Sequence, residues 1–189
     1  MSRLETRLKV FGAAVELIAE QGYSATTVEA IAERAGVAKG TVFYNFGSKE
    51  GLFAALLEHS IAKLADALAE SAGQGGSGLE SLDAVVLGQL RFFAEHGPFA
   101  RVLLAEMWRT AWQDAVAQLR AKALGVYADV LRRAAANGEI RADLDVETAA
   151  TAVFGMVLTV SIERRAIYPE RPLEETHATL VELLHGRVR

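Results

Sequence analysis

The 189 residues contain no cysteine, which excludes disulfides and thiolate chemistry and suits a reducing cytosol. Long hydrophobic runs are also missing. The longest, about 149–160, is interrupted by threonine and falls short of the roughly 20 residues a bilayer requires, so no membrane span is expected. The first twenty residues carry Arg3, Glu5, Arg7, Lys9, Glu16 and Glu20, a pattern unlike a secretion signal. A cytoplasmic protein is expected. Signatures of catalysis are missing as well. There is no G-x-S-x-G, and no convergent acid–base pair is legible, so the chain does not read as an enzyme. Gly73–Gly78 matches G-x-G-x-x-G by spacing, but a long helical pattern precedes it rather than a strand, so it reads as a hinge. His59, His96, His177 and His185 form no H-x-x-x-H pair. Glu174 with His177 and Glu182 with His185 share one terminal helix, whereas a di-metal bundle draws such pairs from two helices; they read as a solvated face. No metal and no cofactor are expected.

Positive charge is scarce too, the formal balance being −4. Its distribution is uneven. Residues 1–50 hold six basic and six acidic groups, and residues 51–189 hold 14 and 18. Between positions 34 and 49 stand Arg34, Lys39 and Lys49 with no acid, and local charge decides whether a surface meets phosphate.

What is present is helical pattern. Hydrophobic residues make up 51% and charged residues 23%, a globular balance with ample material for a core. Leu4, Leu8, Phe11, Val15 and Ile18 recur at steps of four and three, one stripe of an amphipathic helix. Gln21-Gly22 ends it. Thr26 with Glu29 reads as a capping box for a short helix to about Ala35. Gly36 breaks the pattern, a third helix runs from about Ala38 to Asn45, and Ser48 caps a long fourth to about Ser71. After the loop Ala72–Gly78, helices are predicted over about 79–95, 99–108, 111–136, 146–165 and 173–185, the fourth of these capped by Asp145. The fold class is all-α, with about nine helices. Residues 1–50 form an N-terminal helix-turn-helix domain and residues 51–189 a larger helical domain.

The informative stretch is Thr27–Phe46, TVEAIAERAGVAKGTVFYNF. A helix-turn-helix needs a small residue at its crossing (Ala32), a residue that can take the turn (Gly36), and apolar inner faces (Ile31, Ala35, Val37, Val42). The outer face of the second helix then carries Lys39, Gly40, Thr41, Phe43, Tyr44 and Asn45. Lysine can donate to guanine, threonine can meet a thymine methyl, and asparagine can pair with adenine or a phosphate. Thr26, Thr27 and Lys49 stand at helix N-termini, where backbone N–H groups favour a phosphate. Phe46, Leu52 and Phe53 read as core, and Tyr23 as a packing residue.

Residues 8–53 resemble the DNA-binding domain of the tetracycline-repressor (TetR) family. The segments that carry the likeness are Gly22–Thr27, Ile31–Val37, Lys39–Phe46, Ser48-Lys49-Glu50 and Leu52-Phe53. The resemblance implies a homodimeric transcription regulator, by family default a repressor. Two heads would read successive major grooves of a palindromic double-stranded operator, and a small-molecule effector would release it. The same resemblance implies phosphate contacts at Thr26, Thr27, Tyr44 and Lys49 and base-edge positions at Lys39, Gly40, Thr41 and Phe43. Phe43 and Asn45 depart from the tyrosine and histidine common in the family. It further implies a bundle of the last two helices at the dimer interface. The broad apolar faces of those helices (Ala149, Ala152, Val153, Met156, Val157 and Val160; Leu180, Leu183 and Leu184) need cover, which a two-fold partner would supply; packing against the chain's own body is the alternative. For the effector, the large side chains Phe92, Trp108, Trp112 and Phe154 are candidate pocket residues. Arg91, Arg101, Glu106 and Arg109 read as a solvated face. An all-α enzyme or carrier, and a module that binds a protein partner, are the competing classes.

Overall fold

A computed structural model describes residues 2–106 and 112–186. Its helices are α1 (Arg3–Gln21), α2 (Val28–Ala35), α3 (Lys39–Phe46), α4 (Lys49–Ala72), α5 (Gly78–Glu95), α6 (Gly97–Glu106), α7 (Gln113–Leu119), α8 (Gly125–Ala136), α9 (Val146–Ile167) and α10 (Leu173–Leu184). A π turn, Arg120–Leu124, joins α7 to α8 without a break, so the described residues make nine rods, the expected number. Such widened turns interrupt α-helices locally and draw the chain round by one extra residue.

Local chemistry sets the head. Ser2 and Glu5 cap α1 reciprocally, each accepting from the other's backbone N–H (3.1 and 2.8 Å). Gly36 takes the left-handed conformation (φ 66°) that a side chain disfavours, which lets α2 end and α3 turn across it. Ala14, Ile31, Ala32 and Val42 are buried where α1, α2 and α3 meet. Ser48 caps α4 by accepting from the Gly51 N–H at 2.9 Å, as its position before the long helix predicts. α4 then passes out of the head into the body, where Leu56, Leu57, Ile61, Leu64 and Leu68 are sealed. One hydrophobic cluster runs from Val10 to Leu180, so head and body share a core.

The body wraps α5 with α4, α8, α9 and α10. At its centre Gln89 is fully buried; its amide donates to the Phe154 carbonyl at 3.0 Å, and its oxygen accepts from the Tyr127 hydroxyl at 2.6 Å. Burial pushes the Tyr127 hydroxyl pKa well up, so it stays a donor. A polar pair this deep is tolerable because both partners are satisfied.

The glycine-rich segment is tied down where it enters α5, contrary to its reading as a hinge: the Gly76 and Ser77 N–H groups donate to the Glu80 carboxylate at 3.0 and 2.9 Å. Glu139 accepts from the Gly78 and Leu79 N–H groups at 3.0 and 2.8 Å. Those bonds to Leu79, Asn137 and Gly78 lower the carboxyl pKa. A Cβ on Gly78 would stand 2.5 Å from the Ala134 Cα, so glycine here serves close approach. Gly78→Ala is expected to destabilise the protein by about 3 kcal/mol, the upper range of overpacking, read as a fall in melting temperature. Ala134→Gly should fail to rescue it, because the Ala134 backbone N is only 2.6 Å from that Cβ. A recovery would show that the collision is with the side chain instead.

Two further expectations are corrected in α10. His177 and His185 turn inward and bond the carbonyl (2.9 Å) and carboxylate (3.0 Å) of Asp83 on α5. Packing against α5 half-buries both rings, which a solvated face would not do. Among the described residues no group of histidines and carboxylates has the arrangement of a metal site. Helix α9 has 22 residues, longer than its apolar run, and by length and composition could cross a membrane. Its Ala150, Val153, Phe154, Val157 and Leu158 face packs in the core instead. Only 33% of its most apolar window is buried within one subunit.

Candidate nucleic-acid interface

Helix α3 stands on Val42, which is 1% exposed, and turns its other side outward. Lys39, Gly40, Phe43 and Tyr44 are exposed and Thr41 is half-buried. Tyr44 is 80% exposed and Phe43 41%, a large uncovered aromatic surface for so short a helix. A Cβ on Gly40 would meet nothing within 4 Å, so the backbone of the first turn is open to close approach. Ala38 offers no side-chain cap at the positive end of the helix dipole, though its carbonyl accepts from the Thr41 N–H at 2.9 Å.

The charged groups around this face are already organised. Lys39 pairs with Glu29 of α2, and that contact holds the Glu29 carboxyl pKa below its usual value. The Lys39 ammonium also lies 5.6 Å from the Phe43 ring centre. Lys49 reaches back to the Ser24 carbonyl (3.4 Å) and over the Tyr23 ring (4.3 Å). Arg3 stands 6.0 Å from the Tyr44 ring centre, and Arg7 donates to the Asn45 carbonyl at 3.2 Å. The sequence gives Glu29 only a capping role and assigns none at this face to Arg3 or Arg7. The four-residue spacing of Arg3 and Arg7 on α1 was the available signal. Arg34 is drawn onto Glu16 and Glu20 of α1, both at 3.4 Å, rather than left to face an anion.

Removing the Glu29 carboxylate should release Lys39 for an anionic partner. Glu29→Gln is expected to tighten DNA binding about two- to fivefold at low salt, the scale of an exposed ion pair, as read by fluorescence anisotropy. Unchanged or weaker binding would mean that Lys39 does not face the nucleic acid.

Two site assignments are corrected. Thr26 is fully buried; its hydroxyl donates to the Gly22 carbonyl at 2.9 Å and accepts from Gln21, so it cannot reach a phosphate. Thr27, one residue on, caps α2 by accepting from the Ala30 N–H at 3.1 Å and stays exposed. The cap therefore falls one residue after the predicted Thr26–Glu29 box, and with alanine at position 30 it has no reciprocal half. Asn45 folds onto its own helix, its amide donating to the Thr41 carbonyl at 2.8 Å, with its oxygen buried. In that rotamer it offers nothing to a base.

The described candidate effector residues, Phe92, Trp112 and Phe154, do not converge. Phe92 lines a cleft between α1, α4 and α5. Phe154 packs edge-on to Tyr127 at 6.3 Å in the middle of the body. Trp112 is 7% exposed and wedges against Tyr23 and Phe53 (centroids at 5.1 and 4.5 Å), which makes it part of the seam between head and body. Trp108 and Arg109 lie outside the described residues. Glu106, read as a solvated group, is 6% exposed and accepts from the Tyr23 N–H at 3.4 Å, a second link across that seam. Arg91 and Arg101 are exposed as expected.

Residues 10–56 match the model of the tetR family of bacterial regulatory proteins, and residues 75–162 match that of a tetracyclin repressor-like C-terminal domain. The probable HTH-type transcriptional regulator ArpR of Pseudomonas putida is 30% identical over 163 residues, 81% of this chain and 77% of that protein. The chain belongs to the tetR family. It is an all-α, DNA-binding transcription regulator. The fatty acid metabolism regulator protein of Bacillus subtilis is 27% identical over 152 residues, covering 79% of this chain and 78% of the relative. The crystal structure of the regulator FadR from Bacillus subtilis in complex with stearoyl-CoA shares the fold. Its TM-score is 0.84 at 24% identity, over 96% of this chain and 99% of that one.

Proposed function

We propose that this regulator is a homodimeric, cytoplasmic repressor that binds a palindromic operator and is released by a small molecule. The observation that carries the reading is the outward face of α3. An 80% exposed Tyr44 and a 41% exposed Phe43 stand beside Lys39 and an open Gly40, on a helix anchored by a buried Val42. Lys39, Gly40, Thr41 and Phe43 meet base edges, while Thr27, Tyr44 and Lys49 contact phosphates. Thr26 and Asn45 are left out. The reading head comprises residues 1–50, and the remainder carries dimerisation and effector response.

The partner subunit covers α9 and α10. Thr151, Ala152 and Thr159 are exposed along α9, with Gly155, Met156 and Val160 half-buried among them, and Leu183 of α10 is 50% exposed. Small side chains let helices approach closely, and a two-fold axis makes one patch serve both subunits. Covering that face sets the two α3 helices one turn of DNA apart, roughly 34–36 Å. An effector that prefers a different head spacing weakens DNA binding by its difference in affinity for the two states.

Selecting genomic fragments with the purified protein tests the reading. The expected result is an inverted repeat bound with a steep dependence on salt, because each phosphate contact releases counterions. Retention of no fragment, or of a site without two-fold symmetry, would overturn it.

A further inference from the structure

A cleft of about 350 Å³ that the DNA-reading function does not use lies at the joint of head and body, walled by α1, α4 and the α5–α6 corner. Its size suits a small organic molecule. One wall carries Phe11 with the His59 ring stacked on it, centroids 5.2 Å apart. Another carries Phe92 with His96 stacked at 4.3 Å and 13° between planes. Flat aromatic faces on separate walls select a flat ring system.

Gly12 helps to open the cleft. It stands inside α1, where glycine weakens a helix relative to alanine, yet a Cβ there would meet nothing within 4 Å. The helix gives up local stability at a position where any side chain would project into empty space beside the cleft.

The charge in the cleft points to the ligand. Among the described residues, neither the half-buried His59 ring nor the neighbouring Ser60 hydroxyl has a hydrogen-bond partner. The pKa of His59 is lowered by burial and by the positive charges of Lys63 and Arg7. Of the two acids on the rim, Glu16 is already paired with Arg34; Glu95 is exposed. The His59 edge therefore lies in a positive field with unused polar groups, which suits an anion.

We propose that this cleft binds a small aromatic carboxylate, its ring between the Phe11 and Phe92 walls and its carboxylate beside His59, Ser60 and Lys63, and that its occupation loosens the recognition helix. The coupling is short. The Phe11 ring centre lies 5.4 Å from that of Phe46 of α3 and 5.2 Å from that of His59. Arg7, one turn before Phe11, holds the Asn45 carbonyl at the end of α3 and lies 4.6 Å from the Phe46 ring centre. A ligand wedged at His59 displaces Phe11 and attracts Arg7, and both support the C-terminal end of α3. The coupling to operator binding rests on the reading of the chain as a ligand-responsive repressor; the cleft as a site does not.

Titration calorimetry with 2-naphthoate on the full-length protein tests the site. Binding is expected with a Kd of about 1 mM or tighter, at least tenfold weaker for the neutral 2-naphthalenemethanol. Gly12→Leu, which fills the space, and Lys63→Glu should each weaken it at least tenfold. Gly12→Ala should retain it, and guards against a merely misfolded Gly12→Leu. In a mobility shift with the selected operator, saturating 2-naphthoate should lower the affinity of the wild type at least fivefold and that of Gly12→Leu not at all. Equal binding of 2-naphthoate by wild type and Gly12→Leu, no binding tighter than about 10 mM, or bound 2-naphthoate with unchanged operator affinity would each overturn the proposal. If the protein retains no DNA, the repressor reading fails while calorimetry still decides whether the cleft is a site.

Discussion

Changing Lys39 and Tyr44 together to alanine is expected to abolish specific operator binding and leave the fold and dimer intact. Each good contact to a base edge is worth about 1–3 kcal/mol of discrimination. In each of its two heads a dimer loses one such contact, from Lys39, together with the phosphate contact of Tyr44, which holds the head in register. Specific binding exceeds non-specific binding by only about 4–10 kcal/mol, so the loss should reach 10³-fold or more and merge with the non-specific background. Tyr44 is 80% exposed and Lys39 pairs only across the surface with Glu29, so melting should move little, within about 0.5 kcal/mol. Retained affinity of the double variant in a mobility-shift titration would remove α3 from the interface.

Ala152→Glu should split the dimer. Ala152 lies on the uncovered side of α9 beside Gly155, and a two-fold axis along that face would bring two new carboxylates together in a closed apolar contact. Because the position is exposed in the single subunit, the monomer should stay folded. Sedimentation should then give half the mass. Operator affinity should fall by about 10²–10⁴, since the second head no longer benefits from being tethered to the first. A variant that remains dimeric would show that the subunits meet elsewhere.

Much of this architecture was legible because it is written in local chemistry. Gly22, Gly36, Ser48 and Asp145 bound their helices where a left-handed turn or a side-chain cap is required. Val42 in and Lys39 out follow from three- and four-residue spacing. The misses came from choices that spacing cannot encode. Thr26 and Thr27 are chemically equal as caps, and only the way α1 packs on α2 decides which one is buried. Asn45 has the same sequence neighbours whether its amide points to a groove or to the Thr41 carbonyl. Glu106 and Trp112 owe their burial to Tyr23, more than eighty residues earlier in the chain, and no local pattern reports a partner at that distance. Gly78 resembled a flexible linker because glycine permits both mobility and intimate packing; Ala134 and Glu139, which decide the matter, lie in another helix and the turn after it.

The seam where Tyr23, Phe53 and Trp112 interlock bears on protein engineering. DNA-reading modules are often imagined as interchangeable parts, to be spliced onto a new sensor for a synthetic circuit. Here the joint is a keyed one. A graft cut within α4 would carry Tyr23 and Phe53 without the indole they close upon, leaving an oily notch that invites clumping. A working hybrid would have to transplant all three rings together.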